Sequence, residues 1–427
     1  MLEKKLAETG ESVPILDTVL DVASHDRCAL IGAVYKEMPQ KPTVLAQFSS
    51  AAALQPLERT VSAAALKGEA KERWASSEDQ VTLEDDHGRI GLDVDASFIN
   101  SVVTGVVIGV IGREVASEGV FRVESIVSAG VVQEGTPIHL LEPKIPVRTS
   151  LVALISNFSV GQEPTPQPGH DAACMLVVEW LAGLLGMANG DLGVAKAVER
   201  VIFAGNAMGR VSEATLNASL SDSQKGGSEG MSKSAAQREV ASRAAAPVRM
   251  FDAMLAQLCN AVPVDVMPGA DDPASHTVPQ QPLAKCLLPM SVDAKDALKL
   301  VTNPYSCSVR GRTFLGTSGQ AVNTLLRYTA DASPMDLLRS TLRWRHLAPC
   351  APDTLAMYPF HKKDPLVIEE TPHVFFTGNQ DAFETTVEQD GEHSVRLLRL
   401  PSFSTSRQIV LVDLADCTAT TMSFGAF

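Results

Sequence analysis

The chain has 427 residues, 45% of them apolar and 20% charged, which is long enough for two or three domains with real cores. Its formal net charge of -14 speaks against a protein whose main task is gripping nucleic acid, because phosphate binding needs a concentrated Lys/Arg surface. The seven cysteines (Cys28, Cys174, Cys259, Cys286, Cys307, Cys350, Cys417) include no CxxC pair, so no conventional zinc or iron–sulfur motif is written here.

Residues 1–25 read as a short acidic lead-in, helical over Val13–Val22. The start, MLEKKLAETGES, lacks the apolar core of a signal peptide, and the longest apolar run, Val102–Ile111, is too short to span a bilayer. A soluble, intracellular protein is expected. From Cys28 the pattern turns to strands: CALIGAVYKEM, then QVTLEDDHGRIGLDV with a hairpin turn at Asp86-His87-Gly88, then VVTGVVIGVIGREV and GVFRVESIVSAGV. About five β-segments close most economically as a small barrel, an OB-like domain over 26–145. The Ala-rich stretch 49–75 interrupts it as a long loop or helix.

From Leu151 the pattern becomes β-α-β, marking an α/β domain over 146–427. LVALISN (151–157) leads into a Pro-rich loop and an apolar helix over Met175–Met187, followed by VIFAGN (201–206) and a Ser/Gly-rich segment. Residues 219–246 are expected to be a flexible loop. Phe251, Met254, Leu255 and Leu258 then mark one face of a helix that feeds VDVMPG (264–269). In SPMD (333–336) a cap residue precedes Pro and an acid, so a helix starts there, burying Leu337, Leu338, Leu342 and Trp344. The chain closes on strands VRLLRL and QIVLVDL. Strands alternating with helices, then strands in series, suit a two-sheet α/β sandwich.

Five short strands share one construction: LVALISN, VIFAGN, VDVMPG, TFLGTSG (313–319) and VFFTGNQ (374–380) each end in small polar residues. In a binuclear metallophosphoesterase, five such strand ends carry the metal ligands as DxH, GDxxD, GNH, a lone His and GHxH. The frame is similar here and the ligands are not. Ser156-Asn157 stand where an Asp and a His are needed. Gly205-Asn206 keeps the turn of GDxxD with a neutral amide at the acid, and Gly209 falls at the second acid. Gly269 is followed by Asp271 and Asp272 in place of Asn-His. Gly316-Thr317 lacks the lone His, and Gly378-Asn379 replaces the last histidines. Asp271, Asp272 and His276 are the remaining candidates, and one loop cannot enclose the two ions that hydrolysis requires. Asp271-Asp272-Pro273 reads as a turn whose side chains bond local backbone. No residue is assigned a catalytic or metal-binding role.

Three further groups are read the same way. His346, with Arg343 and Arg345, is expected to cover a carboxylate or a helix C-terminus. His373 is expected to be a satisfied core residue, and Ser318 in GTSGQ fails the GxSxG spacing of a nucleophile elbow. The barrel aromatics Tyr35, Phe48, Trp74, Phe98 and Phe121 are expected to be structural rather than a stacking platform for single-stranded DNA.

Three stretches carry a family resemblance: residues 263–283, 298–329 and 342–380, including NPYSCSVRGRTFLGTSGQ and RHLAPCAPDTL. The chain resembles the small, or B, subunits of eukaryotic DNA polymerase delta, from about residue 26 onward. The resemblance implies an OB barrel joined to a catalytically inactive calcineurin-like phosphoesterase domain, serving replication and repair in the nucleus. It implies a scaffold that binds the C-terminal metal-binding domain of the catalytic subunit and a third, extended subunit that reaches the sliding clamp. It further implies a share in the zeta polymerase, contact with DNA only through the complex, and no cofactor in this chain, the metal centre lying on the catalytic partner. Such subunits carry more residues before the barrel than the 25 present here. The alternatives are an active metal-dependent 3′–5′ exonuclease and an OB protein that coats single strands.

Overall fold

The computed structural model describes residues 2–8, 13–24, 26–42, 73–115, 117, 119–131, 150–185, 191–212, 214–216, 233–294 and 296–425. The chain packs as two compact units, one made of Met1–Val132 with Ala321–Glu369, the other of Gln133–Gln320 with Glu370–Phe427. No helix among the described residues is long and apolar enough to cross a membrane.

In the first unit, β1 (Cys28–Glu37), β2 (Gln80–Glu84), β3 (Arg89–Asp93), β4 (Val107–Val115) and β5 (Val120–Ser128) form a closed barrel in the order β1-β2-β3-β5-β4. Alternation along β1 shows why: Leu30, Val34 and the stem of Lys36 turn inward, while Tyr35 and Glu37 are exposed. The β2–β3 turn is tied by Asp85, whose Oδ1 accepts the N–H groups of His87 and Gly88 at 2.8 Å each. The expected helix over Val13–Val22 is not formed. Pro14 and Ile15 run beside β1, with Ala29 N–H donating to Pro14 O at 2.8 Å, and only Val19–Ser24 coils, as a 3-10 turn. A proline drives its preceding residue toward extended backbone, which disfavours a helix across Val13-Pro14.

A single cut at 145/146 does not describe this packing, because Ala321–Glu369 returns to the barrel unit. Trp74 N–H donates to Arg327 O at 2.8 Å, and the Trp74 and Tyr328 rings meet edge-to-face at 5.8 Å. The Lys36 ammonium, its side chain fully buried, donates to Tyr328 O at 2.6 Å and faces Asp79 at 3.4 Å. Within the returning stretch, helix Pro334–Trp344 begins on a complete capping box, Ser333 with Asp336. Leu337, Leu338 and Leu342 are buried as expected, whereas Trp344 is only half-buried.

The second unit contains both remaining sheets. Six strands lie in the order β16-β15-β6-β7-β8-β9, with β6 (Leu151–Ile155), β7 (Val198–Ala204), β8 (Val264–Met267) and β9 (Leu298–Leu300) mutually parallel, β15 (Gln408–Asp413) antiparallel to β6, and β16 (Ala419–Ser423) at the edge. Five strands lie in the order β10-β11-β12-β14-β13, namely β10 (Tyr305–Val309), β11 (Arg312–Thr317), β12 (Val374–Gln380), β14 (His393–Pro401) and β13 (Glu384–Asp390). One core lies between the sheets, with Val152, Leu154, Ile202 and Met267 against Phe314, Phe376, Leu398 and Leu400. Another lies on the opposite face of the six-stranded sheet, where helices His170–Leu181 and Ala246–Cys259 bring Val177, Trp180, Phe251, Leu255 and Leu258 onto Ala153, Val201 and Phe203. The fold thus combines the expected two-sheet α/β sandwich with an OB-like barrel. The loop expected over 219–246 differs: Lys233–Ala244 is a helix, because KSAAQREVASRA is rich in strong helix formers. Residues 217–232 and the Ala-rich stretch 43–72 lie outside the described residues.

Candidate functional site

Parallel pairing brings the C-terminal ends of β6, β7 and β8 side by side, and the same holds for β11 and β12 in the facing sheet. The five strand ends singled out in the sequence therefore meet, which is where α/β sheets bind ligands. Three of them finish on an asparagine with positive φ: Asn157 at 49°, Asn206 at 54° and Asn379 at 54°. Asparagine tolerates this left-handed backbone better than other residues with a Cβ, so each strand can turn sharply.

The two sheets touch here through backbone. A Cβ on Gly378 would stand 2.5 Å from Ala204 O and 2.9 Å from Ser156 Oγ, and one on Gly205, itself at φ +86°, would stand 2.5 Å from Ser318 Cβ. Side chains then satisfy one another. Asn379 N–H donates to Ser156 Oγ and its amide to Ser318 O, both at 2.5 Å. Asn157 Nδ2 donates to Ser402 Oγ at 2.6 Å and Ser404 Oγ at 3.0 Å. Asn303 Nδ2 lies 2.7 Å from each of Gln280 Oε1, Ser318 Oγ and Gln320 Oε1. Thr317 Oγ1 reaches Thr377 Oγ1 at 3.5 Å, Gly316 is buried beneath the Phe376 ring, and Gly209 N–H donates to Val160 O at 2.9 Å. A neutral mesh of amides and hydroxyls fills the crevice.

Comparison with known proteins agrees with both halves of the fold. Residues 1–126 match the model of the DNA polymerase delta subunit OB-fold domain, and residues 166–385 that of the DNA polymerase alpha/epsilon B subunit. The DNA polymerase delta small subunit of Oryza sativa subsp. japonica is 33% identical over 408 residues, spanning 95% of this chain and 86% of that protein. The chain belongs to the DNA polymerase alpha/epsilon B-subunit family. The delta subunit 2 of Drosophila melanogaster is 33% identical over 402 residues (93% of this chain, 84% of that one), and the delta small subunit of Saccharomyces cerevisiae 28% over 450 residues (97% and 82%). This chain is accordingly a non-catalytic accessory subunit of the DNA polymerase delta complex, its phosphoesterase-like fold a degenerate one.

The two carboxylates retained at its strand ends are committed to the fold. Asp272 is buried and accepts from Gly269 N–H at 2.8 Å, Met208 N–H at 3.1 Å and Ala207 N–H at 3.3 Å. It thus ties its own turn, as the sequence suggested, and also clamps the turn after β7. Burial pushes its carboxyl up to about 6 despite those three donors. Asp271 accepts from Asn206 Nδ2 at 3.0 Å and pairs with the Arg210 guanidinium at 3.2 Å, while that guanidinium also donates to the backbone carbonyls of Ala270 and Asp271. His276 is exposed on the same loop. The binuclear metal pair of active phosphoesterases does not fit this donor set: one carboxylate is enclosed by backbone N–H groups, the other faces an arginine, and the remaining strand ends offer only neutral side-chain oxygens and nitrogens, of which Asn379 Oδ1 and Gln380 Oε1 are buried without a hydrogen-bond partner among the described residues. Among the described residues, no group of three or more His, Cys, Asp or Glu is placed to hold a metal ion.

The other candidates have structural partners. His346 Nε2 meets Asp364 Oδ2 at 2.9 Å, and Arg345 terminates helix Pro334–Trp344 in the left-handed conformation while donating to Ile368 O at 3.2 Å. His373 Nδ1 accepts from Thr313 N–H at 3.1 Å. In the barrel, Phe121 and Trp74 are buried, and the exposed Tyr35 ring carries the Arg89 guanidinium 5.5 Å from its centroid. Phe48 lies outside the described residues. Sequence reasoning missed the buried Lys36–Asp79 pair and the buried Asp265, whose two carboxylate oxygens accept from Arg200 Nη1 at 2.7 and 2.9 Å and, on one of them, from the Tyr305 hydroxyl at 2.8 Å. Only the unusual charge inside an apolar strand, as in VDVM, could have signalled them.

Proposed function

We propose that this chain acts as a bridge within the polymerase delta complex, holding the C-terminal metal-binding domain of the catalytic subunit and a third, extended subunit that reaches the sliding clamp. It works in the nucleus, serves the zeta polymerase as well, and carries no cofactor of its own, the metal centre being that of the catalytic partner. What supports the reading is that the likeness to delta small subunits runs through both barrel and sandwich, at 33% identity over 95% of the chain. An assembly part needs both, whereas an enzyme fragment would need only the strand ends.

The test is reconstitution. The chain is coexpressed with a delta catalytic subunit and a third subunit, each separately and together, and the products are separated by size. The expected products are two binary complexes and one ternary complex in which this chain is required for the other two to comigrate. A catalytic subunit and third subunit that comigrate equally well without this chain would overturn the bridging role.

A further inference from the structure

Four hydroxyl residues stand directly before a proline in this chain: Thr136, Thr165, Ser333 and Thr371. The pairing matters because a residue preceding proline is pushed out of the helical region into extended backbone, the form in which protein kinases take up an acceptor. Thr136 lies outside the described residues, and the other three differ sharply. Ser333 is committed, since its Oγ donates to Asp336 Oδ2 at 2.7 Å and accepts the Asp336 N–H at 3.1 Å in the capping box that starts helix Pro334–Trp344. Thr371 is half-buried and has a partner of its own. Thr165 is exposed, lies outside helix and strand, and forms no hydrogen bond among the described residues.

Residues 164–166 form a short bow between two fixed points, with Pro164 and Thr165 exposed and Pro166 half-exposed. On one side Glu163 N–H donates to Arg210 O at 2.9 Å and Ser212 N–H to Glu163 O at 2.8 Å. On the other, Gln167 Nε2 donates to Thr405 O at 2.8 Å, and the buried Arg407 guanidinium donates to Pro168 O at 3.0 Å and Gly169 O at 3.1 Å. Both neighbours of Thr165 are prolines and lack a backbone N–H, so neither a helix nor a sheet edge can draw the bow in. The hydroxyl stays presented.

We propose that Thr165 is the site at which a proline-directed protein kinase phosphorylates this chain. Thr165 Oγ1 attacks the γ-phosphorus of ATP, and the new O–P bond forms as the bond to the β-phosphate oxygen breaks. The hydroxyl proton is released and ADP leaves. The product carries about -1.5 to -2 charge on the bow. Because this hydroxyl supports nothing in the fold, the phosphate alters the surface and leaves the core intact. A phosphate on Ser333 would instead set its charge against the Asp336 carboxylate and dismantle the cap.

The experiment incubates the folded full-length chain with ATP and a purified proline-directed kinase, its activity checked on a reference peptide, and locates phosphate by mass spectrometry of the digested product. Phosphate is expected on Thr165. Thr165→Val should fall to the level of a control without kinase, Thr165→Ser should keep the label, and Pro166→Ala should lose it with the acceptor hydroxyl still in place. Thermal melting of Thr165→Val and Thr165→Ser is expected to match the wild-type chain, so that lost label reports the acceptor and not the fold. A folded wild-type chain left unlabelled by a kinase that labels its reference peptide would overturn the proposal. So would label on Ser333 or Thr371 in place of Thr165, or label that persists in Thr165→Val. Full labelling of Pro166→Ala would contradict the proline-directed class of enzyme.

Discussion

Asn206 holds Asp271 with both ends of its amide: Nδ2 donates to the carboxylate at 3.0 Å, and Oδ1 accepts the Asp271 backbone N–H at 2.9 Å. A neutral residue can play both parts, and the aspartate of a working GDxxD motif cannot. The Asn206→Asp variant is therefore expected to place two carboxylates against each other and lose a donor. Urea unfolding should show a loss of about 2–4 kcal/mol. An unchanged midpoint would contradict the structural role given to this amide.

Asp272 gives a pH signature. Its carboxyl lies at about 6 in the folded chain and near 4 when unfolded. Between those values the native state holds a proton that the unfolded state has released, so stability falls as pH rises from about 4 to about 6 and is flat above that. The gap corresponds to about 3 kcal/mol. Measured against Asp272→Asn, which cannot titrate, the wild-type chain should lose relative stability across that window. A difference independent of pH would be the contrary result.

Gly316 has no room for a side chain, since a Cβ there would stand 2.0 Å from the Phe376 ring. Gly316→Ala should cost about 1–3 kcal/mol by overpacking, read as a lowered melting temperature. The paired variant Gly316→Ala/Phe376→Leu is expected to recover part of the loss. Failure to recover any would argue against that contact.

Lys36 and Asp79 face each other with fully buried side chains, and burial holds the Lys36 ammonium below its ordinary range although Asp79 opposes the shift. Asp79→Ala strands a buried charge, so it should cost about 3–5 kcal/mol, while replacing both by apolar residues of similar volume should cost much less. Equal losses in the single and double variants, by denaturant titration, would remove the pair from the account.

Much of this was legible beforehand for identifiable reasons. The strand ends could be found because small polar residues after four or five apolar ones mark a parallel strand, and Ser333-Pro334 with Asp336 could be found because a capping box is local. What the strand ends do to one another was not legible: Asn206 and Asp271, or Asn303 and Gln280, are joined by tertiary geometry that no spacing records. The return of Ala321–Glu369 to the barrel unit is marked by contacts such as Lys36 with Tyr328 O, between residues 292 apart in sequence. Cys28, Cys174, Cys259, Cys350 and Cys417 are small buried side chains, Cys307 is half-buried and Cys286 is exposed, which no spacing of the cysteines records.

If the crevice at the five strand ends is a structural mesh in a non-catalytic subunit, the purified chain incubated with manganese and labelled single-stranded and duplex DNA, and with a chromogenic phosphodiester, alongside Asp271→Ala, should show no hydrolysis above the buffer rate in either protein. Metal-dependent cleavage by the wild-type chain that disappears in Asp271→Ala would contradict it.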